Sequence, residues 1–520
     1  MVTDGRERSA TRVLPPLVAG LGLGAMAVVG ASPGSPYQPL LLPGGEPSGP
    51  LRVAASWVGL GGLHGNAGLV AATIVAVGAV LAFLYLLREI LRGGVTMRSV
   101  VVLVVAAHIG LLFTPLLFSR DVYSYALQGR IAADGGNPYT ETAVDRPDDP
   151  FARFVGPKWV DTPAVYGPAW TSASALLARL APDPLGLVAT YRVLAVLASL
   201  AVCAGIVWVA RDLWPDRAVF ALAAFGANPV VLFHSVASGH NDLLVALAIV
   251  GALALVLRGH DGWAVAALTL GTLVKASAAV PLLLLVVWCV ARRPEGRRLR
   301  GLASCSAVIL GLTAVFAVPY ASWSNPTLGM LELAGHQGWL APSADLMRIL
   351  DAAPWGESGW IARVGFAVLL AATLVVLARA VWRRAERSTP SELGAAWGWG
   401  LVFLTLLGPV LLPWYAVWYL PLVWLLPRGA RAAAIGVSAA LAVTLWSAEQ
   451  LRFPEAFDVN VFVVHWIVAP AFLVVALLLL RDLRRRLRAG SPLADEAIPV
   501  RGTPRPSQPD DHQRVTAAAG

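Results

Sequence analysis

Charge is scarce in this sequence. Only 14% of its 520 residues are Asp, Glu, Lys or Arg, against about 25% in a soluble domain, while 57% are hydrophobic. So few charges cannot wet the whole surface, which excludes a soluble globular protein and calls for lipid around much of the chain. Lysine is almost missing: Lys158 and Lys275 are the only two, and arginine supplies the remaining basic residues. The three cysteines, Cys203, Cys289 and Cys305, lie within or at the start of apolar runs without CxxC spacing. That excludes a disulfide framework and argues against a structural zinc site. There is no Gly-rich phosphate loop or HExxH, and the one GxSxG match, Gly30–Gly34, ends an apolar run and forms no nucleophile elbow, so the usual nucleotide, metalloprotease and serine-hydrolase signatures are missing. No internal repeat is visible, which weighs against a transporter made of inverted halves.

What is present is a series of apolar runs. A bilayer core needs roughly 20 apolar residues as helix. Candidate spans are 14–31, 67–87, 99–118, 185–210, 217–238, 241–257, 263–275, 277–291, 300–319, 359–382, 394–412, 414–427, 431–448 and 461–481. They predict an all-α polytopic membrane protein with about 13–14 transmembrane helices. The run from Leu14 to Ala31 lacks a clear small-residue cleavage site and precedes many further spans, so it reads as the first helix and not as a removed signal. The net charge is +9, but the cations cluster beside apolar runs, which sets membrane orientation and does not make a nucleic-acid surface. Arg6, Arg8 and Arg12, then Arg88, Arg92 and Arg98, put the N-terminus and first return in the cytoplasm. The clusters Arg292–Arg300, Arg383–Arg387, Arg428–Arg431 and Arg481–Arg488 fall on the same side.

Two long loops, 119–162 and 320–358, are left outside. Seven acids against five bases in the first, and four against one in the second, suit that location. Parity requires that Val165–Ala181 dip in and return, extending the first loop to 119–184, and that Trp263–Ala291 be a hairpin broken near Lys275. The spans then form one domain, 1–481, followed by a cytoplasmic tail, 482–520, whose Pro-, Asp- and Arg-rich stretch from about Gly490 is expected to be disordered.

The residues able to do chemistry gather at the outer ends of these spans. Asp121 emerges directly after a span, where a carboxylate can accept a proton from a sugar hydroxyl beside a lipid donor. It could equally N-cap the helix Val122–Ala133. Arg120 is a phosphate ligand or an interface anchor. Tyr123, Tyr125, Tyr139, Tyr166, Trp414 and Tyr415 offer platforms for sugar rings or belong to an interfacial aromatic belt. Asn228-Pro229 should kink the span 217–238. His240, Asn241 and Asp242 follow it, and His240 with Asp242 could orient a substrate, coordinate a cation or close a capping turn. Lys275 interrupts an apolar run and needs an anionic partner, a lipid phosphate, Asp121 or Asp242, unless it snorkels. In the second loop, His336 and Trp339 suggest an acceptor site or lid. His108 and His465, alone in apolar spans, read as packed residues.

In this order, Arg120-Asp121-Val122-Tyr123-Ser124-Tyr125, Asn137-Pro138-Tyr139, Tyr166-Gly167-Pro168, Asn228-Pro229, Gly239-His240-Asn241-Asp242, Lys275 and Pro413-Trp414-Tyr415 resemble the actinobacterial polyprenyl-phosphate-mannose-dependent α-1,6-mannosyltransferases. These are GT-C fold enzymes, and the chain looks closest to the MptB type. The resemblance covers roughly residues 60–480. It implies a polyprenyl-phosphate-mannose donor and a mannosylated glycolipid acceptor, an α-1,6-mannan of the lipomannan or lipoarabinomannan kind. It further implies Asp121 as catalytic base, inversion at the anomeric carbon, and no nucleotide sugar or other cofactor. Asp121 has no adjacent acid, which argues against a divalent cation. Two alternatives stay open: a GT-C transferase using another lipid-linked sugar, and a multi-span lipid or solute transporter.

Overall fold

The computed structural model describes residues 2–60, 65–322, 325, 328–329, 340–352, 358–386, 388–444 and 462–495, the first eleven of these by backbone alone. Thirteen of the fourteen predicted spans are helices. They are α1 (Val2–Gly30), α3 (Gly65–Leu91) after the short α2 (Pro50–Trp57), α4 (Met97–Leu111), α7 (Pro184–Leu213), the pair α8 (Ala218–Gly226) and α9 (Pro229–Val236), and α10 (Asp242–Leu257). The series continues with α11 (Asp261–Val274), α12 (Ala279–Ala291) and α13 (Arg298–Ala317). After the short α14 (Pro342–Asp351) come α15 (Trp360–Arg384), α16 (Pro390–Leu407), the four-residue α17 (Ala416–Tyr419), α18 (Arg428–Val443) and α19 (Ala469–Arg488). Two further short helices, α5 (Asp121–Ala133) and α6 (Pro168–Leu180), lie between α4 and α7. No strand occurs among the described residues.

Among the described residues, six helices are long and apolar enough to cross a membrane, the bent pair α8–α9 makes a seventh, and four more apolar helices are 10–17 residues long. The shortness has local causes. Asn228 accepts a hydrogen bond from the Val230 amide while Pro229 withholds its own, and the chain turns by 42° there. Lys275 sits in extended backbone between α11 and α12. Asp261, which opens α11, interacts with Arg292 and Arg293 at the far end of α12, so the two helices run antiparallel as the expected hairpin. α6 has only 13 residues and packs along α5, too short to cross.

The predicted span 414–427 is a correction. It is not one α-helix but a 3₁₀ turn (Pro413–Tyr415), α17, and a longer 3₁₀ stretch (Leu420–Leu425), every residue of it buried. Its prolines, Pro413 and Pro421, interrupt the α-helical ladder. With no lipid face, the segment runs through the protein interior between α8, α10 and α16. Trp414 at one end stacks on His240, and Trp424 at the other meets Trp214 edge-on. The outer helices have the reverse character: on α13 only Gly301 and Cys305 are buried, while Leu299, Leu310 and Val315 are exposed. Exposed aliphatic surface on that scale is what lipid would cover.

Residues 119–184 form a folded layer with its own core. Val122, Tyr125 and Ile131 of α5 pack with Phe151, Trp170 of α6 and Tyr191 of α7. Enclosing a side chain such as Phe151 completely is worth about 1.5–3 kcal/mol. At the opposite end of the bundle, the first residues of the stretch expected to be disordered from about Gly490 are instead docked on the helices. Leu493 and Ala494 are buried, and their amides donate to Glu392 on α16 at 3.1 and 3.0 Å. Asp495 then lies 3.3 Å from both Arg217 and Arg431. A strap of the C-terminal segment thus ties α16, α18 and the start of α8 together.

Candidate active site

Four chain breaks meet at one end of the bundle: the α4–α5 junction, the α9–α10 turn, the α11–α12 hairpin tip and the α16–α17 turn. Each is where a helix is interrupted, so side chains that would otherwise face a neighbouring helix converge on a common space.

α5 presents one stripe to this space. Asp121, Ser124, Gln128 and Ile131, at spacings of three and four, line a cavity of about 200 Å³. Arg120, Lys158, Trp159, Tyr166, Lys275, Trp414 and Tyr415 complete its polar and aromatic wall. Asp121 is the first residue of α5 but does not cap it; the N-cap is Arg120, whose side chain makes no capping bond. The Asp121 carboxylate instead accepts from the Tyr166 hydroxyl at 3.0 Å and the Ser119 hydroxyl at 3.1 Å, and keeps 23% of its side chain exposed through the cavity. Burial pushes this carboxyl above the ordinary aspartate range, against the opposing pull of Lys275 and of the Tyr166 hydrogen bond.

Asp242 behaves differently, although it also opens a helix. It is wholly buried, and both its oxygens lie 2.9 Å from Lys275 Nζ. Trp418 Nε1 donates to it at 2.7 Å. Lys275, 5% exposed, is enclosed further by the rings of Tyr415 at 4.7 Å, Trp418 at 5.6 Å and Tyr166 at 5.9 Å. Its anionic partner is therefore Asp242, and it does not snorkel. A charge buried with a bidentate partner and aromatic faces is stable there; either member alone would not be.

His240 connects the two acids. Its Nδ1 lies 3.5 Å from Asp121 Oδ2, 3.9 Å from Asp242 Oδ2 and 3.4 Å from the Tyr125 hydroxyl. The ring stacks on Trp414 at 4.1 Å, and Nε2 is buried with no partner. Tyr125 also donates to Asn241 Oδ1 at 3.3 Å. Two glycines make the convergence possible. Gly239 has φ +70°, and a Cβ there would sit 2.7 Å from Val122. Gly167 lies so close to the hairpin that a Cβ would be 2.1 Å from the Leu273 carbonyl, and its amide donates to Val274 at 3.0 Å.

Of the residues singled out from sequence, Arg120, Asp121, Tyr166, Lys275, Trp414 and Tyr415 line the cavity, with Tyr125, His240, Asn241 and Asp242 directly behind them. Tyr139 does not reach it; its hydroxyl donates to the Tyr166 carbonyl at 2.8 Å and so positions that residue. Tyr123 points to the opposite side of α5, against Phe151 and Phe154, because a step of two residues turns it about 200° away from Asp121. His336 and Trp339 lie outside the described residues. His108 is packed, bonded to Ser199 and the Val104 carbonyl, and His465 lies 3.5 Å from Asp345 and contacts Arg348. Sequence reasoning did not assign Lys158 or Trp418. The signal for Lys158 was its rarity: both lysines of the chain reach one cavity. Among the described residues no three His, Cys, Asp or Glu side chains are arranged to hold a metal.

Comparison with known proteins identifies the family. The family described as "Alpha-(1->6)-mannopyranosyltransferase, N-terminal domain" matches residues 33–292, a stretch that holds Asp121, His240, Asp242 and Lys275. Over 444 residues the chain is 27% identical to alpha-(1->6)-mannopyranosyltransferase A of Mycobacterium tuberculosis, covering 80% of this chain and 81% of that one. It is 35% identical over 186 residues to the A-type enzyme of Corynebacterium glutamicum, covering 35% and 37%. To the B-type enzyme of the same organism it is 26% identical over 343 residues, covering 59% and 55%. A- and B-type relatives both match, so the similarity speaks for their common family more than for the B type. An all-α polytopic protein of GT-C fold fits that family. The chain belongs to the α-(1→6)-mannopyranosyltransferase family and is a membrane-embedded glycosyltransferase.

Proposed function

We propose that the protein transfers mannose from polyprenyl-phosphate-mannose to the 6-hydroxyl of an α-1,6-mannan glycolipid of the lipomannan or lipoarabinomannan type, with inversion. The observation that carries this reading is the Asp121 carboxylate, uncapped and facing a cavity that cations also line. Asp121 takes the proton of the acceptor hydroxyl, whose oxygen attacks the anomeric carbon as the bond to the phosphate oxygen breaks. The polyprenyl phosphate leaves with the bonding electron pair. Since Asp242 neutralises Lys275, the leaving charge is assigned first to Arg120 and Lys158 on the cavity wall, with Lys275 contributing its field. A single displacement inverts the anomeric centre. No cofactor or metal is assigned a role.

The site is assigned to the extracytoplasmic face of the plasma membrane and both termini to the cytoplasm. Support comes from the position of the arginines. Arg88, Arg211, Arg258, Arg292, Arg384 and Arg428 stand at the helix ends remote from Asp121, the side that basic residues favour.

The test is to incubate membranes carrying the protein with radiolabelled polyprenyl-phosphate-mannose and a short α-1,6-mannoside, beside matched glucose and arabinose donors. Label should enter the mannoside from the mannose donor alone, in a linkage that α-1,6-mannosidase releases. Transfer from another sugar donor, with none from mannose, would overturn the donor assignment. The elevated Asp121 carboxyl adds a pH prediction. The base acts only when ionised, so kcat/KM should fall as pH drops through a midpoint above the ordinary aspartate value of about 3.9. An acid limb at or below that value in a pH–rate profile would contradict the assignment.

A further inference from the structure

A second cavity, of about 310 Å³, lies on the other side of α5 from the Asp121 cavity. Its walls come from the α1–α2 connection (Leu41–Pro50), the end of α4 and the first turns of α7. Tyr123, the aromatic that turns away from the active site, belongs to this wall. Two charged residues line it, the exposed Glu46 of the α1–α2 connection and, deeper in, Arg192 of α7. Arg192 stands eight residues into that helix, so about 12 Å from its N-terminal end. Next to it Tyr191 packs in the core of the 119–184 layer, and a guanidinium half-enclosed there needs hydrogen-bond partners or a ligand.

The partner is not a carboxylate. Among the described residues Arg192 takes part in no ion pair; its Nη2 donates to the Leu111 carbonyl at 2.6 Å and to Thr114 Oγ1 at 3.1 Å. Those bonds hold the end of α4 and use one nitrogen of the guanidinium. Nε is buried without a partner. A guanidinium has five N–H donors in a planar fork that matches the oxygens of a phosphate. The surroundings match a lipid. Phe113 on the cavity wall is 55% exposed, and the adjoining α2 exposes Trp57 to 83% with Val53 and Val58 beside it. An aromatic and aliphatic rim of this kind belongs at the bilayer interface.

We infer that this cavity binds the phosphate headgroup of a membrane lipid, with Arg192 as its cation and the chains lying along the apolar rim beside α2. The site is separate from the catalytic cavity and does not depend on the sugar transferred.

The experiment titrates the purified protein in detergent calorimetrically with farnesyl phosphate, farnesol and inorganic phosphate. Farnesyl phosphate should show a saturable component that Arg192→Gln weakens by about tenfold or more, the loss expected for hydrogen bonds to a charged group. Ala189→Trp, an exposed cavity-wall position that leaves the Arg192 bonds untouched, should remove the same component by filling the space. Arg120→Gln should leave it intact, which separates it from binding at the catalytic cavity. If both the Arg192 and Ala189 variants titrate like the wild type, the proposal is wrong. Equal affinity for inorganic phosphate would refute the lipid and leave a free-anion site. Equal affinity for farnesol would refute the role of the phosphate.

Discussion

Asp121→Asn should reduce mannosyl transfer by about 10²–10⁴-fold, the contribution of a positioned general base, with donor binding unchanged. The substitution keeps the size of the side chain and an oxygen able to accept from Tyr166, while the amide nitrogen can donate to the Ser119 hydroxyl in place of the bond that the second carboxylate oxygen accepts. It removes only the capacity to take a proton. Because α5 is capped without help from this side chain, the helix should persist and the variant should insert and purify as the wild type does. The measurement is turnover in detergent or membranes alongside a donor-binding titration on the same preparation. Turnover within a few-fold of wild type would remove Asp121 from the role of base. Lost turnover together with lost donor binding would place it instead among the binding groups.

Replacing Lys275 or Asp242 singly is expected to act first on folding. The pair is buried, bidentate and sealed by Trp418 and Tyr415. Removing one member leaves a charge without its counter-ion, at a cost of about 3–5 kcal/mol, a large share of the stability of an ordinary protein. Lys275→Met and Asp242→Asn should each lower yield and thermal stability in detergent. The double variant, which removes both charges, should recover most of the loss. Activity of the recovered double variant then separates two roles. Normal donor affinity would make Lys275 a scaffold for the hairpin tip, whereas weakened affinity would show that its field reaches the donor phosphate. Single variants as stable as wild type would contradict the pairing.

The all-helical fold was legible because long apolar runs in a bilayer leave the backbone little alternative to the helix. The Asn228-Pro229 bend and the hairpin at Lys275 were legible for local reasons, a missing amide in one case and an intolerable isolated charge in the other. The path of residues 413–425 was not. Its composition is that of a span, and hydropathy cannot distinguish a segment buried among helices from one facing lipid. Within the candidate site, sequence singled out the charged residues that the structure brings together but left the pairing of Lys275 open among Asp121, Asp242 and a phosphate. The choice depends on which helix ends touch, and that is set by packing across more than thirty residues. Tyr123 and Tyr125 illustrate the limit at closest range. Equal in type and two positions apart, they lie on opposite sides of α5, and the direction of that helix follows from tertiary contacts that no local pattern encodes.

The docked strap at Leu493–Asp495 imposes an order on biosynthesis. Arg217 and Arg431 share a counter-ion, Asp495, that follows the last described helix in the chain. While the ribosome is still translating, both guanidiniums must do without it, and the grip of Glu392 on the strap amides is equally unavailable. The end of the bundle remote from Asp121 is therefore fastened only after the helices described above have been made. A stop codon just before Asp495 would leave the helices described above with an open seam on that side.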